Sequence, residues 1–158
     1  NKVGFLKTDP KARFQGYTFY FKEGFCWSAV NGTRSTNELK TRLKQKSVTD
    51  VQGMSLINYS ICVSTKYLVC LLNSEFINRY TEAYINSTVI FQINDARQLP
   101  IVIPNLKILN KIEQLCKEAI CLKKDSFSSL VDRTTAEEKL LALQRDLDYY
   151  VQAELYGI

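Results

Sequence analysis

The chain contains no histidine, and this absence excludes several kinds of active site. Without an imidazole there is no histidine general base, and no metal site can include a histidine ligand. The glycines form no phosphate-loop signature and no glycine-rich loop that follows a strand. A self-contained enzyme is therefore not expected, and a binding module is the better interpretation of the chain.

Cysteine is present, but its spacing excludes the common metal and redox motifs. The five residues contain no Cys-x-x-Cys spacing, are odd in number and stand in apolar contexts. They are Cys26, Cys62, Cys70, Cys116 and Cys121. This usage predicts reduced, buried thiols in a cytoplasmic protein rather than a disulfide framework.

A long hydrophobic run is also absent. No stretch approaches the ~18 uninterrupted apolar residues of a membrane helix, and no signal peptide opens the chain. No membrane association is expected. Because the chain begins at Asn1 in the middle of a pattern and without an initiator methionine, we expect it to be a piece of a longer polypeptide.

Positive charge is concentrated near the start of the chain. Residues 1–60 hold ten lysines and arginines against four acidic residues. Residues 61–105 hold three of each, and residues 106–158 hold eight basic against nine acidic residues. A basic end on an otherwise balanced domain favours a polyanionic partner, most often nucleic acid, and a generic solubilising surface is the alternative.

The first sixty residues have patterns typical of β structure. An aromatic run at 17–21 and an apolar run at 25–30 flank a turn that contains Gly24, which predicts a β-hairpin. Residues 31–37 are polar and predict a loop, and recognition often lies on loops of a rigid sheet. Further strands are predicted at residues 60–64 and 88–93 from their β-prone composition.

In residues 39–46 every second residue is a cation. As a strand, this segment would direct all four charges to one face, whereas a helix would spread them around its axis. The four residues are Lys40, Arg42, Lys44 and Lys46. A one-sided basic stripe would suit a phosphate backbone, and the alternative is a charged edge strand that resists aggregation.

The segment at residues 93–105 is the pivot of the chain, because β patterns precede it and helical patterns follow it. Pro100 and Pro104 bracket a short β-branched run, which can be extended but cannot be helical. We predict a last edge strand there, and Asn105 as the N-cap of the next helix.

Helical spacing of apolar residues occurs before the pivot and twice after it. Before the pivot the stripe includes Leu68, Leu71, Leu72, Phe76, Ile77 and Tyr80, with Ser74 as an internal cap. After it, one helix of about four turns is predicted from the stripe Ile108, Ile112, Leu115, Ala119 and Leu122. An interruption at residues 125–129 is followed by a second helix, capped near Thr134 and Thr135 and ending at Gly157. Its stripe is Leu140, Leu143, Leu147, Tyr150, Val151 and Leu155.

These patterns predict an α+β fold in two parts. Residues 1–105 form a mixed, β-rich body with packed helices, and residues 106–158 form an arm of two long C-terminal helices. The two helices can pair with each other, pack on the body or reach toward another domain, and the sequence leaves these arrangements open.

Four motifs, in order, resemble the specificity regions of N6-adenine DNA methyltransferases of the type IIG restriction-modification kind. The first is Gly-Phe-Cys-Trp-Ser at residues 24–28, followed by Arg42 and by Asp-Val-Gln-Gly-Met-Ser at 50–55. Next come Leu-Leu-Asn-Ser at 71–74 and Ile-Asn with Leu-Pro-Ile-Val-Ile-Pro at 93–104, which are similar to signatures shared with type I specificity subunits. The tail, residues 147–158, is similar to the ends of such polypeptides.

The resemblance implies a target-recognition domain that binds duplex DNA and presents an adenine to a catalytic methyltransferase domain of the same polypeptide. That catalytic domain would hold S-adenosylmethionine, and the parent chain could also cleave DNA. This fragment would be non-catalytic and would contain neither a cofactor nor a metal. It also implies a role for the C-terminal helices as spacer or dimerisation arm in phage defence. It transfers no base-reading residue, and matched residues such as Trp27 and Pro100 are interpreted as structural.

Candidate DNA-contacting residues are therefore chosen by their chemistry. The alternating cations at 40, 42, 44 and 46 are expected to bind phosphates, and Arg, Asn and Gln side chains nearby are candidates for base edges. The full set is Lys11, Arg13, Gln15, Asn31, Arg34, Asn37, Lys40, Arg42, Lys44 and Lys46. Two other functions stay open, half of a type I specificity subunit and a helical module for protein–protein interaction.

Overall fold

The structure, a computed structural model, describes residues 2–11, 16–30, 39–48, 53–88 and 90–158. Its strands are β1 (Gly24–Ser28), β2 (Arg42–Lys44) and β3 (Gly53–Leu56), and its helices are α1 (Lys2–Thr8), α2 (Thr65–Leu72), α3 (Glu75–Tyr80), α4 (Ile93–Ala96), α5 (Leu106–Phe127) and α6 (Arg133–Tyr149). π-helical turns Thr81–Ile85 and Tyr150–Tyr156 extend α3 and α6. The predicted α+β class with two long C-terminal helices is confirmed.

Strand β1 is the centre of an antiparallel sheet with the order β2-β1-β3. Side chains alternate between the faces of a strand, so Phe25 and Trp27 are buried together while Ser28 is exposed. The ring of Trp27 stacks near Phe25, with centroids 6.1 Å apart, and meets Phe91 edge-on at 5.9 Å. Phe25 and Trp27 are the buried side chains that the sheet contributes to the core, and Phe91 packs against Trp27 from outside the sheet.

Helix α2 lies between the sheet and the C-terminal helices. The Ser64 side chain begins it by accepting a hydrogen bond of 3.1 Å from the Tyr67 backbone N–H. The helix packs against β1 and β2 on one side and α5 on another. Tyr67 and Leu71 are fully buried as a result, and Ser74 begins α3 as the spacing predicts.

The C-terminal helices pair with each other and also pack on the body. Asn105 is the N-cap of α5, because its Oδ1 accepts from the Ile108 backbone N–H at 3.0 Å. Ile112 and Val151 belong to the same core cluster as Trp27. Two of the arrangements that the sequence left open are therefore both present. Helices α5 and α6 pair with each other, and both helices also pack on the body.

The predicted hairpin at 17–30 is wrong. Tyr17–Phe19 forms a single 3-10 turn, and the partners of β1 are β2 and β3. Phe21 has φ of 59°, a left-handed conformation that ends any extended run before β1 begins. The aromatic residues of this segment therefore project from a turn instead of pairing across a sheet.

The two other predicted strands and the edge strand at the pivot are also not formed. Asn58 Oδ1 accepts from the Ser60 N–H at 2.9 Å, and this side-chain turn replaces a strand before α2. Near residue 90 the described part of the chain has one isolated bridge, between Val30 and Ile90. Residues 101–105 lie between α4 and α5 without a ladder to any described strand.

Helix ends and cysteine burial require further corrections. Asp132, and not Thr134 or Thr135, caps α6, because its Oδ2 accepts from the Thr135 N–H at 3.1 Å. Helix α5 continues to Phe127, through part of the predicted interruption. All five cysteines are free thiols as predicted, but Cys62 and Cys121 are exposed and only Cys70 and Cys116 are buried.

Candidate nucleic-acid interface

The exposed cations around strand β2 are the first element of the candidate interface. Residues 42–44 form a strand, as one of the two interpretations predicts, and it lies at the edge of the described sheet. Lys40 precedes the strand, Arg42 is its first residue and Lys46 follows it, and all three side chains are exposed. The structure therefore brings these three predicted phosphate contacts to one sheet edge.

Lys44, the fourth residue predicted to contact phosphate, is buried instead of exposed. Its side chain is only 5% exposed. The ammonium group donates to the carbonyl oxygens of Lys22 at 2.7 Å, Ser47 at 2.8 Å and Gln45 at 3.5 Å. An ammonium has three protons to donate, so this one is fully satisfied by backbone and does not reach a ligand.

Of the six other residues that were predicted to contact DNA, the structure describes one. Lys11 is exposed, two residues after Asp9, whose Oδ1 accepts from the Lys11 backbone N–H at 2.9 Å. The other five lie outside the described residues. They are Arg13, Gln15, Asn31, Arg34 and Asn37.

A second element is a cluster of exposed rings and lysines that sequence reasoning missed, here called the aromatic–lysine surface. It consists of Lys7, Tyr17, Phe19, Phe21, Lys22 and Tyr59. The ammonium of Lys7 lies 4.6 Å from the Tyr17 ring centroid. That of Lys22 lies 5.7 Å from Phe19 and 6.0 Å from Tyr59, distances typical of cation–π contacts.

The buried Lys44 connects the two elements. Ser47 O accepts from Lys44 Nζ and also from the Phe21 backbone N–H at 3.2 Å. Lys22 O, next to Phe21, accepts from the same ammonium. The turn that presents Phe21 is thus fixed to the segment that follows β2, and the exposed Lys46 lies in that segment.

A signal for this surface exists in the sequence. Aromatic residues at 17–21 are followed directly by Lys22 and are preceded by Lys7 and Lys11. Aromatic residues among cations are typical of nucleic-acid binding surfaces. The run was interpreted as a strand, which would have turned alternate rings toward the core, so their common exposure was not predicted.

Three side chains of the matched motifs donate hydrogen bonds to backbone carbonyls in other parts of the fold. Trp27 Nε1–H donates to the Phe91 carbonyl at 3.0 Å. Asn73 Nδ2 donates to the Thr41 carbonyl at 2.9 Å, directly before β2. The Tyr156 hydroxyl donates to the Pro100 carbonyl. These motifs therefore hold the frame that carries the exposed surface.

Two tyrosines and a cysteine of this frame have displaced pKa values. Burial raises the pKa of Tyr156 to about 12 and that of Tyr67 further. A hydrogen bond with the Cys116 thiol, together with burial, raises the pKa of Cys70. These groups are structural in position, because each packs between elements of the core.

Two further searches cover the part of the chain that the structure describes. Within it, no group of three or more Cys, Asp or Glu side chains is arranged to hold a metal ion. Among the described helices, none combines the length and the apolar character needed to cross a bilayer.

No protein-family model matches the chain, and no curated protein matches it at a significant level.

Proposed function

We propose that this chain is the sequence-specific duplex DNA recognition domain of a restriction-modification N6-adenine methyltransferase, whose catalytic domain lies outside these residues. The observation that carries the proposal is the surplus of cations in the first sixty residues together with their placement. Lys40, Arg42 and Lys46 gather at one sheet edge with exposed side chains. Such a group can neutralise phosphates, which supply most of the affinity of DNA-binding proteins.

The connected motifs support the kind of DNA-binding protein proposed. The tryptophan of the first motif, the asparagine at position 73 and the tail tyrosine each bond to a different segment of the core. Their packing supports a shared architecture with specificity regions, in which the frame is constant and the exposed residues differ.

Different residues have different roles in this proposal. Lys11, Lys40, Arg42 and Lys46 position the duplex through its phosphates, and Lys44 stabilises the fold beside them. Base contacts fall to polar side chains of the same basic first part of the sequence, with Arg13, Gln15, Asn31, Arg34 and Asn37 as the candidates. S-adenosylmethionine and the methyl transfer belong to the catalytic domain of the parent polypeptide.

Sequence preference is the property that tests this proposal. The chain is incubated with a pool of duplexes that contain a randomised segment, and bound DNA is sequenced after several rounds. We expect enrichment of one short sequence, and Arg34→Ala relaxes the preference at one position at a cost of about 1–3 kcal/mol. A bound pool that stays random through every round contradicts sequence-specific recognition.

A second candidate function, protein–protein contact through the C-terminal helices, is favoured by the end of the α5–α6 pair. Leu130 is 76% exposed at the connection between the helices. Light scattering of the wild-type chain and of Leu130→Glu tests it. A dimer that the charged variant converts to a monomer supports dimerisation through this end, and a monomeric wild type contradicts it.

A further inference from the structure

The four aromatic residues of the aromatic–lysine surface are largely exposed. Tyr59 is 69% exposed, Phe21 64%, Phe19 50% and Tyr17 47%. Exposed rings beside lysines, as in the Lys7–Tyr17 contact and the Lys22 contacts with Phe19 and Tyr59, are typical of surfaces that bind single-stranded nucleic acid. The rings therefore indicate a partner with flat apolar groups.

The charges on the same surface indicate the sign of that partner. Lys7 lies over one ring and Lys22 contacts two others, and Lys22 Nζ is also 3.4 Å from the Tyr59 hydroxyl. Each ammonium is thus held beside a ring instead of extending freely into solvent. A ligand that places a negative charge next to a flat apolar group would contact both at once, and a nucleotide has this composition.

We propose that the aromatic–lysine surface stacks on unpaired bases of a nucleic acid, while Lys7 and Lys22 bind the adjoining phosphates. The inference rests on the proposed function for the choice of nucleic acid, but it concerns a different part of the molecule from the β2 edge. In a fully paired duplex the base faces are stacked on their neighbours and cannot accept a ring. The ligand is therefore a single-stranded stretch or an unpaired nucleotide beside a duplex.

The backbone at Phe21 supports a binding role for its ring. Its φ of 59° is unfavourable for a bulky residue, and such strain persists where the surrounding structure enforces it, often at functional sites. Here the enforcing contacts are the Phe21 N–H bond to Ser47 O and the Lys44 ammonium on both Ser47 O and Lys22 O. A backbone fixed in advance loses little conformational freedom when the side chain that it carries stacks on a base.

Fluorescence anisotropy with labelled oligonucleotides tests the inference on the full chain. The probes are a single-stranded oligonucleotide, a duplex with one unpaired nucleotide and the fully paired duplex. We expect Phe21→Ala and Tyr59→Ala each to weaken binding of the first two probes about tenfold, because base–aromatic stacking contributes on this scale. Both variants bind the fully paired duplex within about twofold of wild type.

Phe127→Ala is the matched control variant. Phe127 is also an exposed phenylalanine with an ammonium over its ring, that of Lys123 at 5.6 Å, but it lies at the end of α5. It is expected to bind all three probes as wild type does. An equal loss in Phe127→Ala and Phe21→Ala, or no loss in Phe21→Ala and Tyr59→Ala, overturns the inference.

Salt dependence separates the rings from the lysines. Replacing Lys22 by glutamine lowers the slope of log affinity against log salt for the single strand by about 0.7, because one phosphate contact is lost. Phe21→Ala lowers affinity at every salt concentration with an unchanged slope. Binding of an acidic peptide as tight as that of the single strand, with the same loss in Phe21→Ala, overturns base stacking in favour of a protein partner.

The outcomes also distinguish this inference from the proposed function. Single-strand binding that depends on Phe21, in a chain with no affinity for paired DNA, supports base stacking and overturns duplex recognition. If the chain binds the duplex and neither Phe21→Ala nor Tyr59→Ala changes its affinity for the single strand, duplex recognition is supported and base stacking is overturned. Failure to bind any of the three probes overturns both.

Discussion

The Tyr156 hydroxyl donates a hydrogen bond to the carbonyl of Pro100, so the last turn of the chain closes on the segment between the two prolines. Tyr67 from α2 bonds to the same segment through the Val102 carbonyl at 2.6 Å. Proline cannot donate to a ladder, and these two hydroxyls satisfy carbonyls that a strand partner would otherwise satisfy. The pivot is thus held between helix α2 and the C-terminal tail.

Removal of the Tyr156 hydroxyl is expected to lower the free energy of unfolding. It is also expected to make that free energy depend less on pH in the alkaline range. Tyr156→Phe reduces the free energy of unfolding by about 1 kcal/mol, since one hydrogen bond is lost. Burial raises the pKa of Tyr156 from 10.0 to about 12. The unfolded chain therefore loses this proton first, so its contribution is complete below pH 10 and declines as pH rises toward about 12.

Urea unfolding at a series of pH values from neutral to alkaline measures both effects of Tyr156→Phe. The variant is less stable at neutral pH and loses stability less steeply above pH 10, the ordinary value for tyrosine. Identical alkaline slopes for the two proteins would show that this hydroxyl is not protected by the fold.

The amide of Asn73 is expected to be important for the position of β2. Its Oδ1 accepts from the Thr41 N–H at 2.7 Å and its Nδ2 donates to the Thr41 carbonyl at 2.9 Å. Asn73→Ala leaves both backbone groups of Thr41 without this partner and lowers the free energy of unfolding by about 2 kcal/mol. Asn110→Ala, on an exposed part of α5, changes it by less than about 0.5 kcal/mol. Equal stabilities of the two variants by chemical denaturation would contradict the role assigned to Asn73.

Gly24 is expected to tolerate no side chain. A Cβ at this position would clash with the Leu56 carbonyl oxygen across the β1–β3 pairing and lie 3.2 Å from the Ile57 Cα. Gly24→Ala therefore lowers the free energy of unfolding by about 2 kcal/mol or more, since backbone must move. Gly4→Ala has no atom within 4 Å of the new Cβ and is neutral or stabilising in α1. Thermal unfolding in which both variants match wild type would refute this close approach.

Lys44 and Lys46 are expected to separate stability from DNA affinity. Lys44→Met removes the ammonium that donates to the carbonyls of Lys22, Gln45 and Ser47, and lowers the free energy of unfolding by about 1–3 kcal/mol. Lys46→Met changes stability by less than about 0.5 kcal/mol, and reduces the salt slope of duplex binding by about 0.9. Unfolding curves and salt titrations of both variants give the comparison. The prediction fails if Lys44→Met changes the salt slope as Lys46→Met does.

Helices α2, α3, α5 and α6 could be predicted because their signals are local. Ser64, Ser74 and Asn105 each accept a backbone N–H at the start of a helix, and the apolar stripes of α2, α5 and α6 are buried or half-buried. Cap placement is less certain where several candidates adjoin. Asp132 begins α6, although Thr134 and Thr135 have the same capping chemistry two and three residues later.

The sheet and the candidate surface depend on long-range partners that composition does not specify. The aromatic residues at 17–21 have high strand propensity, but their lysine neighbours and the left-handed Phe21 place them in a turn. Lys44 follows the same alternation as Arg42, and only the proximity of the Lys22 and Ser47 carbonyls buries it. A repeating pattern predicts which residues share a face, and not which of them finds a partner there.

Duplex binding as a function of salt tests the central claim most directly. The wild-type chain is compared with a variant in which Lys40, Arg42 and Lys46 are all replaced by alanine. A control variant carries alanine at Lys117, Lys123 and Lys139 on the C-terminal helices. We predict that the first variant lowers the slope of log affinity against log salt by about 2.7, with the control unchanged. Equal slopes in all three proteins, or no duplex binding by wild type at low salt, would contradict duplex recognition through the β2 edge.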